Sequence, residues 1–596
     1  MSESIAAPES ADGSRKVSKV SEAVIRIAGN SQDGIQSIGG FLARLAGRSE
    51  QEVMTFMTIP STISGGPSIF QVRLSSGEVL SSGDEADVLM AFYQHSYDNH
   101  TDFVKEGGII LYDTAHVEPN PELEKKFRHI GCPIAELTVE AIGGTAKDKG
   151  KNIFALGLVA RMFDLDGNRL EGLIAERFKG KPESVTETAL SAFHAGNAYP
   201  LTTLAEIYEF EEPNARDTEQ VVCTGNEALG YGILASGVRF GAGYPITPWS
   251  DIMELLRREL PKYDGIFVQC EDEIAAVSMA IGASWGGRVA ITGSSGPGIS
   301  LKGEAIGLGV ITELPIVVIN IQRGGPSTGL PTKTEQSDLN QAMFGRNGEC
   351  PSVVIACQSP SDCFETAFEA CKISLEFMVP VVLLSDGYIA NGSEPWKLPD
   401  LDKLPKINTK IIQKIKDEKF LPYKRDEKTL SRDWAIPGTA GLEHRIGGLE
   451  KTDGTGNVSY DPDNHHHMVE LRQKKIDIIS NFIPEVKPYG KDKGDLLILG
   501  WGGTYGAIRA AVEKANKNNL SVSHIHLKHI NPLPKNLGEV LLKYNKVLIP
   551  EINLGQLSNI IRSKYLIDTL NYNRVSGKPF TTSDIYNKIS EILEDK

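Results

Sequence analysis

Gly243-Tyr244-Pro245-Ile246-Thr247-Pro248 closes an apolar, strand-like run and opens an amphipathic helix reading Asp251-Ile252-Met253-Glu254-Leu255-Leu256. Two prolines and a threonine at a strand-to-helix junction make a rigid elbow. Proline fixes φ and withholds a donor, and a hydroxyl beside a helix start caps it. The free N–H groups of such a start attract anions, carboxylates included. Alone, the stretch reads equally well as a capped turn. Its surroundings decide the matter. Strands are predicted at 266–269, 289–292, 316–321 and 381–384 with helical runs between them, the pattern of a doubly wound parallel sheet. Ligands of such sheets lie beyond the carboxyl ends of the strands. The elbow, Glu271 and Arg323 each closely follow a predicted strand, so three candidate functional groups share one edge.

The same alternation continues on both sides. A polar stretch, 1–20, reads as a flexible tail without the apolar core of a signal peptide. A strand at 24–29, a glycine-bearing turn and an apolar-periodic helix then open an α/β domain placed at 21–205, with further strands at 71–74 and 108–112. Its turn, Asn30-Ser31-Gln32-Asp33-Gly34, lacks G-x-G-x-x-G, so no dinucleotide site is read there, and the residues of this domain indicate no catalytic role. The central domain is placed at 222–400. A Lys- and Gly-rich connector, 401–487, reads as irregular and ends in a helix. Its His465-His466-His467 run has no cysteine or carboxylate array beside it, so no metal site is read. A smaller α/β domain fills 488–596 and starts with a strand at 495–499 and Gly500-Trp501-Gly502-Gly503-Thr504. The expected fold class is therefore α/β, with three doubly wound parallel-sheet domains.

Composition narrows the function. The chain has 596 residues, 40% hydrophobic and 23% charged, ordinary values for a soluble multidomain protein. A net charge of -15 argues against nucleic acid or an anionic membrane surface as partner. No apolar run is long enough to span a bilayer, and the expected location is the cytoplasm. The seven cysteines are odd in number and form no C-x-x-C, so they read as buried free thiols rather than a disulfide framework, zinc site or iron–sulfur site. Gly293 to Lys302 superficially suggests a phosphate loop. The Walker pattern needs Gly-Lys-Ser/Thr in succession, however, and Lys302 lies four residues past Gly298.

Glu271-Asp272-Glu273 sits between a strand and a helix of small residues. An acidic helix start is favoured by the macrodipole, and a glutamate fixed at a strand end also suits a cofactor that needs a proton donor. Arg323-Gly324-Gly325-Pro326-Ser327-Thr328-Gly329-Leu330-Pro331-Thr332 pairs a guanidinium, able to clamp a carboxylate through two hydrogen bonds, with glycines that let the backbone approach a ligand.

Together, Tyr244 to Pro248, Glu271-Asp272-Glu273 and this loop resemble the alpha subunit of 2-oxoacid:ferredoxin oxidoreductases. Pro331-Thr332-Lys333-Thr334-Glu335-Gln336-Ser337-Asp338-Leu339 and Arg346-Asn347-Gly348-Glu349 resemble the 2-oxoglutarate branch. The resemblance implies a gamma-like domain at 21–205, a thiamine diphosphate pyrimidine-binding domain at 222–400, and a transketolase C-terminal-like domain at 488–596. By position, Glu271 matches the glutamate bonded to the aminopyrimidine N1′, with Glu273 as runner-up. Thr247 and Arg323 match residues that hold the 2-oxoacid, with Thr332 and Tyr244 as further contacts. The implied reaction is reversible conversion of 2-oxoglutarate and coenzyme A to succinyl-CoA and CO2, with ferredoxin as electron carrier. Pyruvate or a branched-chain 2-oxoacid is the same-class alternative, and a non-catalytic scaffold or regulatory subunit the other. Lys333, Arg346 and Lys302 are candidates for the distal carboxylate of 2-oxoglutarate. No Gly-Asp-Gly occurs to hold Mg2+ and the diphosphate, and the cysteines suit no cluster. Both Mg2+ and a [4Fe-4S] cluster are therefore expected on a beta subunit, in a heterodimer. Two departures from the family appear: Asn30 to Gly34 replaces a Gly-Gly-Gln-Gly type loop, and Ser64 stands where an arginine precedes paired glycines.

Overall fold

The computed structural model describes residues 16–60, 65–143, 150–201, 204, 206–214, 218–414 and 419–594. Ser64 lies outside them. The chain divides into two compact units, Met1–Val53 with Ser64–Val79 and Glu85–Arg216, and Met54–Ile63 with Leu80–Asp84 and Asp217–Lys596.

In the first unit, strands lie side by side in the order Pro67–Ser75, Glu22–Asn30, Ala86–Ala91, Val104–Asp113, Arg128–Cys132. The first pair is antiparallel and the rest are parallel, so this sheet is parallel-dominated rather than wholly parallel as expected. Ile25, Ile27, Leu89 and Ile110 are all buried, as in strands covered on both faces. Residues 16–20, expected in a flexible tail, instead form the strand Lys16–Val20, paired in parallel with Glu206–Phe210.

The second unit is organised around a seven-stranded sheet. Its order is Ile266–Gln269, Phe240–Gly243, Ala290–Ser294, Ile316–Gln322, Pro380–Asp386, Val353–Ala356, His529–Asn531. Every neighbouring pair is parallel except the last. All seven residues of Ile316–Gln322 are buried, because helices cover both faces. From Phe240–Gly243 the chain steps to one side, to Ile266–Gln269, and then crosses to the other, to Ala290–Ser294. That reversal opens a crevice beyond the carboxyl ends of these strands. Trp249, fully buried, forms its floor. A β-carbon at Gly243 would lie 3.0 Å from its Nε1 and one at Gly293 2.3 Å from its Cε3, so both glycines are needed to admit the indole.

A four-stranded parallel sheet follows, in the order Val522–Leu527, Gly494–Trp501, Tyr544–Glu551, Leu570–Asn573. It belongs to the same compact unit as the larger sheet, to which its own segment contributes His529–Asn531. Gln336 joins the two. Its backbone N–H donates to Ile552 O at 3.0 Å, its Oε1 accepts from Ile552 N at 3.0 Å, and its Nε2 donates to Trp501 O at 2.7 Å.

The connector after residue 400 is anchored in the core. Trp434 is fully buried and donates from Nε1 to Ser284 O at 3.0 Å. Glu313, buried at a helix end, pairs with Arg425 and Lys475, and Tyr423 lies within 5.8 Å of Arg425, 5.5 Å of Arg432 and 5.4 Å of Lys451. Burial alone raises the Glu313 pKa, but Lys475 and Arg425 outweigh it and bring it down to about 2. Removing this one anion strands the buried Lys475 and leaves Arg425 only Asp453. Glu313→Gln is expected to lower stability by about 3–5 kcal/mol, read by thermal unfolding, whereas a change under about 1 kcal/mol, typical of an exposed pair, contradicts the assignment.

Candidate active site

The crevice is built from the ends of four strands. After Phe240–Gly243 the elbow is held from behind by Asn226, whose Nδ2 donates to Pro248 O at 3.1 Å and to Asp251 Oδ2 at 3.3 Å. Tyr244 and Thr247 are exposed on its outer surface. After Ile316–Gln322 comes Arg323, 7% exposed, whose Nη1 donates to Thr247 O at 2.9 Å. The elbow and the arginine thus meet through the threonine carbonyl. Thr332, further along the loop, keeps its Oγ1 buried.

The acidic triplet after Ile266–Gln269 divides its labour. Asp272 caps the helix Glu273–Trp285, accepting from Ala275 N at 2.7 Å. Glu271 is exposed at the turn, whereas Glu273 is 6% exposed. A β-carbon at Gly298 would lie 2.6 Å from Glu273 Oε1, and one at Gly296 2.8 Å from Asp338 Oδ2. The glycine turn that superficially suggested a phosphate loop therefore makes room for two carboxylates. Asp338 also accepts from Asn320 Nδ2 at 3.0 Å. Burial pushes its pKa up to about 6, Glu335 adds to the rise, and Asn320 and Arg323 oppose it.

Six buried polar atoms line this edge without a partner among the described residues: Trp249 Nε1, Ser294 Oγ, Ser295 Oγ, Asn320 Oδ1, Arg323 Nε and Thr332 Oγ1. Buried polar atoms are nearly always bonded, so a concentration of this kind marks a recess built for a polar ligand. Asn320, Asp338, Ser294 and Ser295 were not singled out in the sequence. The signal for Asn320, Ser294 and Ser295 was a place within a few residues of a strand end already flagged, and that for Asp338 a place in the Pro331–Leu339 stretch.

The three cations proposed for a distal carboxylate fare differently. Arg346 spends its donors on the Ala342, Met343 and Cys350 carbonyls. Lys302 is fully buried beneath the recess. Lys333 packs against Gly577, and its ammonium makes no hydrogen bond or ion pair among the described residues. Burial lowers its pKa, and the charge of Lys578 lowers it further.

Elsewhere, His465 pairs with Glu450 at 2.7 Å and His467 with Asp453 at 3.1 Å. Among the described residues no group of three or more His, Cys, Asp or Glu is placed to hold a metal ion. The seven cysteines are free, and among the described residues no helix is long and apolar enough to cross a membrane.

Two family models match the chain: "Pyruvate flavodoxin/ferredoxin oxidoreductase, thiamine diP-bdg" over residues 231–460, and "Pyruvate ferredoxin/flavodoxin oxidoreductase" over residues 24–199. The chain is 41% identical to the 2-oxoglutarate oxidoreductase subunit KorA of Mycobacterium tuberculosis, over 99% of this chain and 96% of that protein. It is 30% identical to the 2-oxoacid:ferredoxin oxidoreductase 1, subunit alpha, of Aeropyrum pernix, over 91% of this chain and 92% of that one. The solved 2-oxoglutarate:ferredoxin oxidoreductase of Magnetococcus marinus, with 2-oxoglutarate, coenzyme A and succinyl-CoA bound, is similar with a TM-score of 0.90 at 32% identity. That match covers 96% of this chain and 100% of that one.

Proposed function

As this chain belongs to the family of 2-oxoglutarate and 2-oxoacid:ferredoxin oxidoreductase alpha subunits, we propose that its recess binds thiamine diphosphate and 2-oxoglutarate. The reaction is oxidative decarboxylation with coenzyme A to succinyl-CoA and CO2, with electrons passing to ferredoxin, in the cytoplasm. The observation that carries this reading is the row of unpartnered buried polar atoms beside Glu273, at the crevice where the strand order reverses. A scaffold has no use for such a recess, because each unbonded atom costs about 1–3 kcal/mol.

The donor set fits the cofactor. When bound, thiamine diphosphate supplies the carbon nucleophile and the electron sink for losing CO2. Glu273 is the better candidate for the aminopyrimidine N1′ than Glu271. It is buried, where a shared proton is strong and shielded, while Glu271 is open to water. Arg323 holds the oxoacid carboxylate. Its hydrogen bond to Thr247 O spends one N–H on a neutral oxygen and keeps the positive charge for the ligand. Thr332 Oγ1, Tyr244 and Thr247 supply further polar contacts. Lys333 is the cation left for the distal carboxylate, which favours 2-oxoglutarate over pyruvate or a branched-chain acid.

A beta subunit completes the site, bringing Mg2+, the diphosphate-binding segment and the [4Fe-4S] cluster. Two observations support this. Ile266–Gln269 ends the central sheet as an edge strand, and Ile266, Ile274, Met279 and Leu301 beside it are each at least 40% exposed. Apolar side chains gathered along an open sheet edge mark a surface built to be covered.

Four substitutions test the reading in the enzyme assembled with its partner, using a viologen dye as electron acceptor. Arg323→Ala is expected to raise KM for 2-oxoglutarate about 10-fold or more while assembly is kept, the loss of a hydrogen bond to a charged group. Unchanged kinetics would take Arg323 out of the site. Glu273→Gln is expected to cut turnover about 10²–10⁴-fold with thiamine diphosphate still bound, and Glu271→Gln to leave it near normal. The opposite pair of results returns the role to Glu271. Lys333→Met is expected to raise KM for 2-oxoglutarate about 10-fold without weakening use of pyruvate, and an equal effect on both would show that Lys333 reads no distal carboxylate.

A further inference from the structure

Lys302 joins the short helix Gly296–Leu301 to the helix Gly303–Thr312, directly beneath the recess. It is fully buried, which a lysine almost never is unless an acid pairs with it. Its Nζ donates instead to two neutral oxygens, Glu273 O at 3.1 Å and Thr292 Oγ1 at 2.9 Å, and forms no ion pair among the described residues. Burial pushes its pKa down to about 8, which still leaves it protonated at neutral pH. If only the aliphatic stem mattered, a methionine would fill the same volume without burying a charge.

The ionisable groups that face this ammonium are Glu273 and Asp272 from the helix start and Cys270 from the preceding strand end. Of these, Glu273 acts on it most strongly. On its other side, the Glu273 carboxylate is confined by the turn at Gly298, where a β-carbon would lie 2.6 Å from Glu273 Oε1 and 1.9 Å from Ser294 Oγ. The glycine turn thus confines the carboxylate, while the buried ammonium holds the backbone carbonyl of the same residue.

We propose that Lys302 is a positioning residue: its ammonium, bonded to the Glu273 carbonyl, pins the first turn of the Glu273 helix and sets a buried positive charge close to the proton that the Glu273 carboxylate would share with a bound cofactor's ring nitrogen. With the cofactor bound, that charge would favour leaving the shared proton on the ring. No net charge is created, since one proton moves along one hydrogen bond. The inference rests on the assignment of Glu273 made above.

The test uses the assembled holoenzyme and two readouts, the pH profile of kcat and the ultraviolet difference spectrum of the bound aminopyrimidine across the same pH range. With Lys302→Met, the spectral midpoint for losing the shared proton is expected to rise by about one pH unit or more, the size of a carboxylate's response to losing a nearby opposite charge. The kcat profile should move with it. Lys302→Arg, which keeps the charge, should hold the wild-type midpoint. A midpoint unmoved in Lys302→Met, even with a lower melting temperature, overturns the proposal and leaves Lys302 a packing residue. Should Lys302→Met fail to assemble, Thr292→Val releases the ammonium from one of its two oxygens. A smaller upward shift is then expected, and none overturns the proposal. Glu273→Gln separates the two layers. If that variant turns over normally, the Glu273 assignment itself fails. If it is inactive while the Lys302→Met midpoint stays put, only the present inference fails.

Discussion

One hydrogen bond, from Arg323 Nη1 to the Thr247 carbonyl, joins two strand ends that lie 76 residues apart in sequence. The rest of the site depends on it. The elbow is already stiffened by its prolines and by Asn226, so anchoring the guanidinium to it fixes where positive charge stands over the crevice. A guanidinium bonded to a carbonyl keeps its full charge, unlike one neutralised by a carboxylate. Burial lowers the pKa of Arg323 and Asp338 opposes that shift, yet an arginine stays protonated across any physiological range.

The loop after Arg323 serves the rest of the unit as well as the site. Thr334 Oγ1 donates to Asp386 Oδ1 at 2.9 Å, and the same carboxylate accepts from Gly503 N at 3.0 Å and from Tyr388 and Ile389 N–H groups. Two residues on, Gln336 is bonded to Trp501 and Ile552. The segment carrying Thr332 and Lys333 is therefore clamped to the four-stranded sheet through buried, hydrogen-bonded side chains. Buried polar networks that are fully satisfied rigidify what they touch. The smaller sheet contributes none of the six unpartnered atoms but sets the position of the loop that does.

Much of this was legible in the chain itself. The predicted strands at 266–269, 289–292, 316–321 and 381–384 fall on observed strands, because continuous apolar runs bounded by turn residues are what a two-sided parallel sheet requires. Val353–Ala356 was not read, since four apolar residues carry too little periodicity to separate strand from helix. His529–Asn531 was not placed in the larger sheet, because its pairing with Val354 and Ile355, far back in the chain, leaves no local trace. The connector read as irregular, yet its charges neutralise one another inside the core, and a charge pattern alone does not say which partners are buried. Glu271 and Glu273 are two positions apart at a helix start, where a change of two residues turns a side chain from solvent to interior. Composition carries no record of that rotation.

Trp249 beneath Gly243 and Gly293 has a consequence for how such a site changes over evolutionary time. The indole occupies the volume that β-carbons at those glycines would need, so the bottom of the crevice has no small adjustable step. Even the smallest side chain there collides with a ring that is itself locked on all sides. Change is then easier away from that base, as at Leu330, which is 47% exposed, than beneath the elbow.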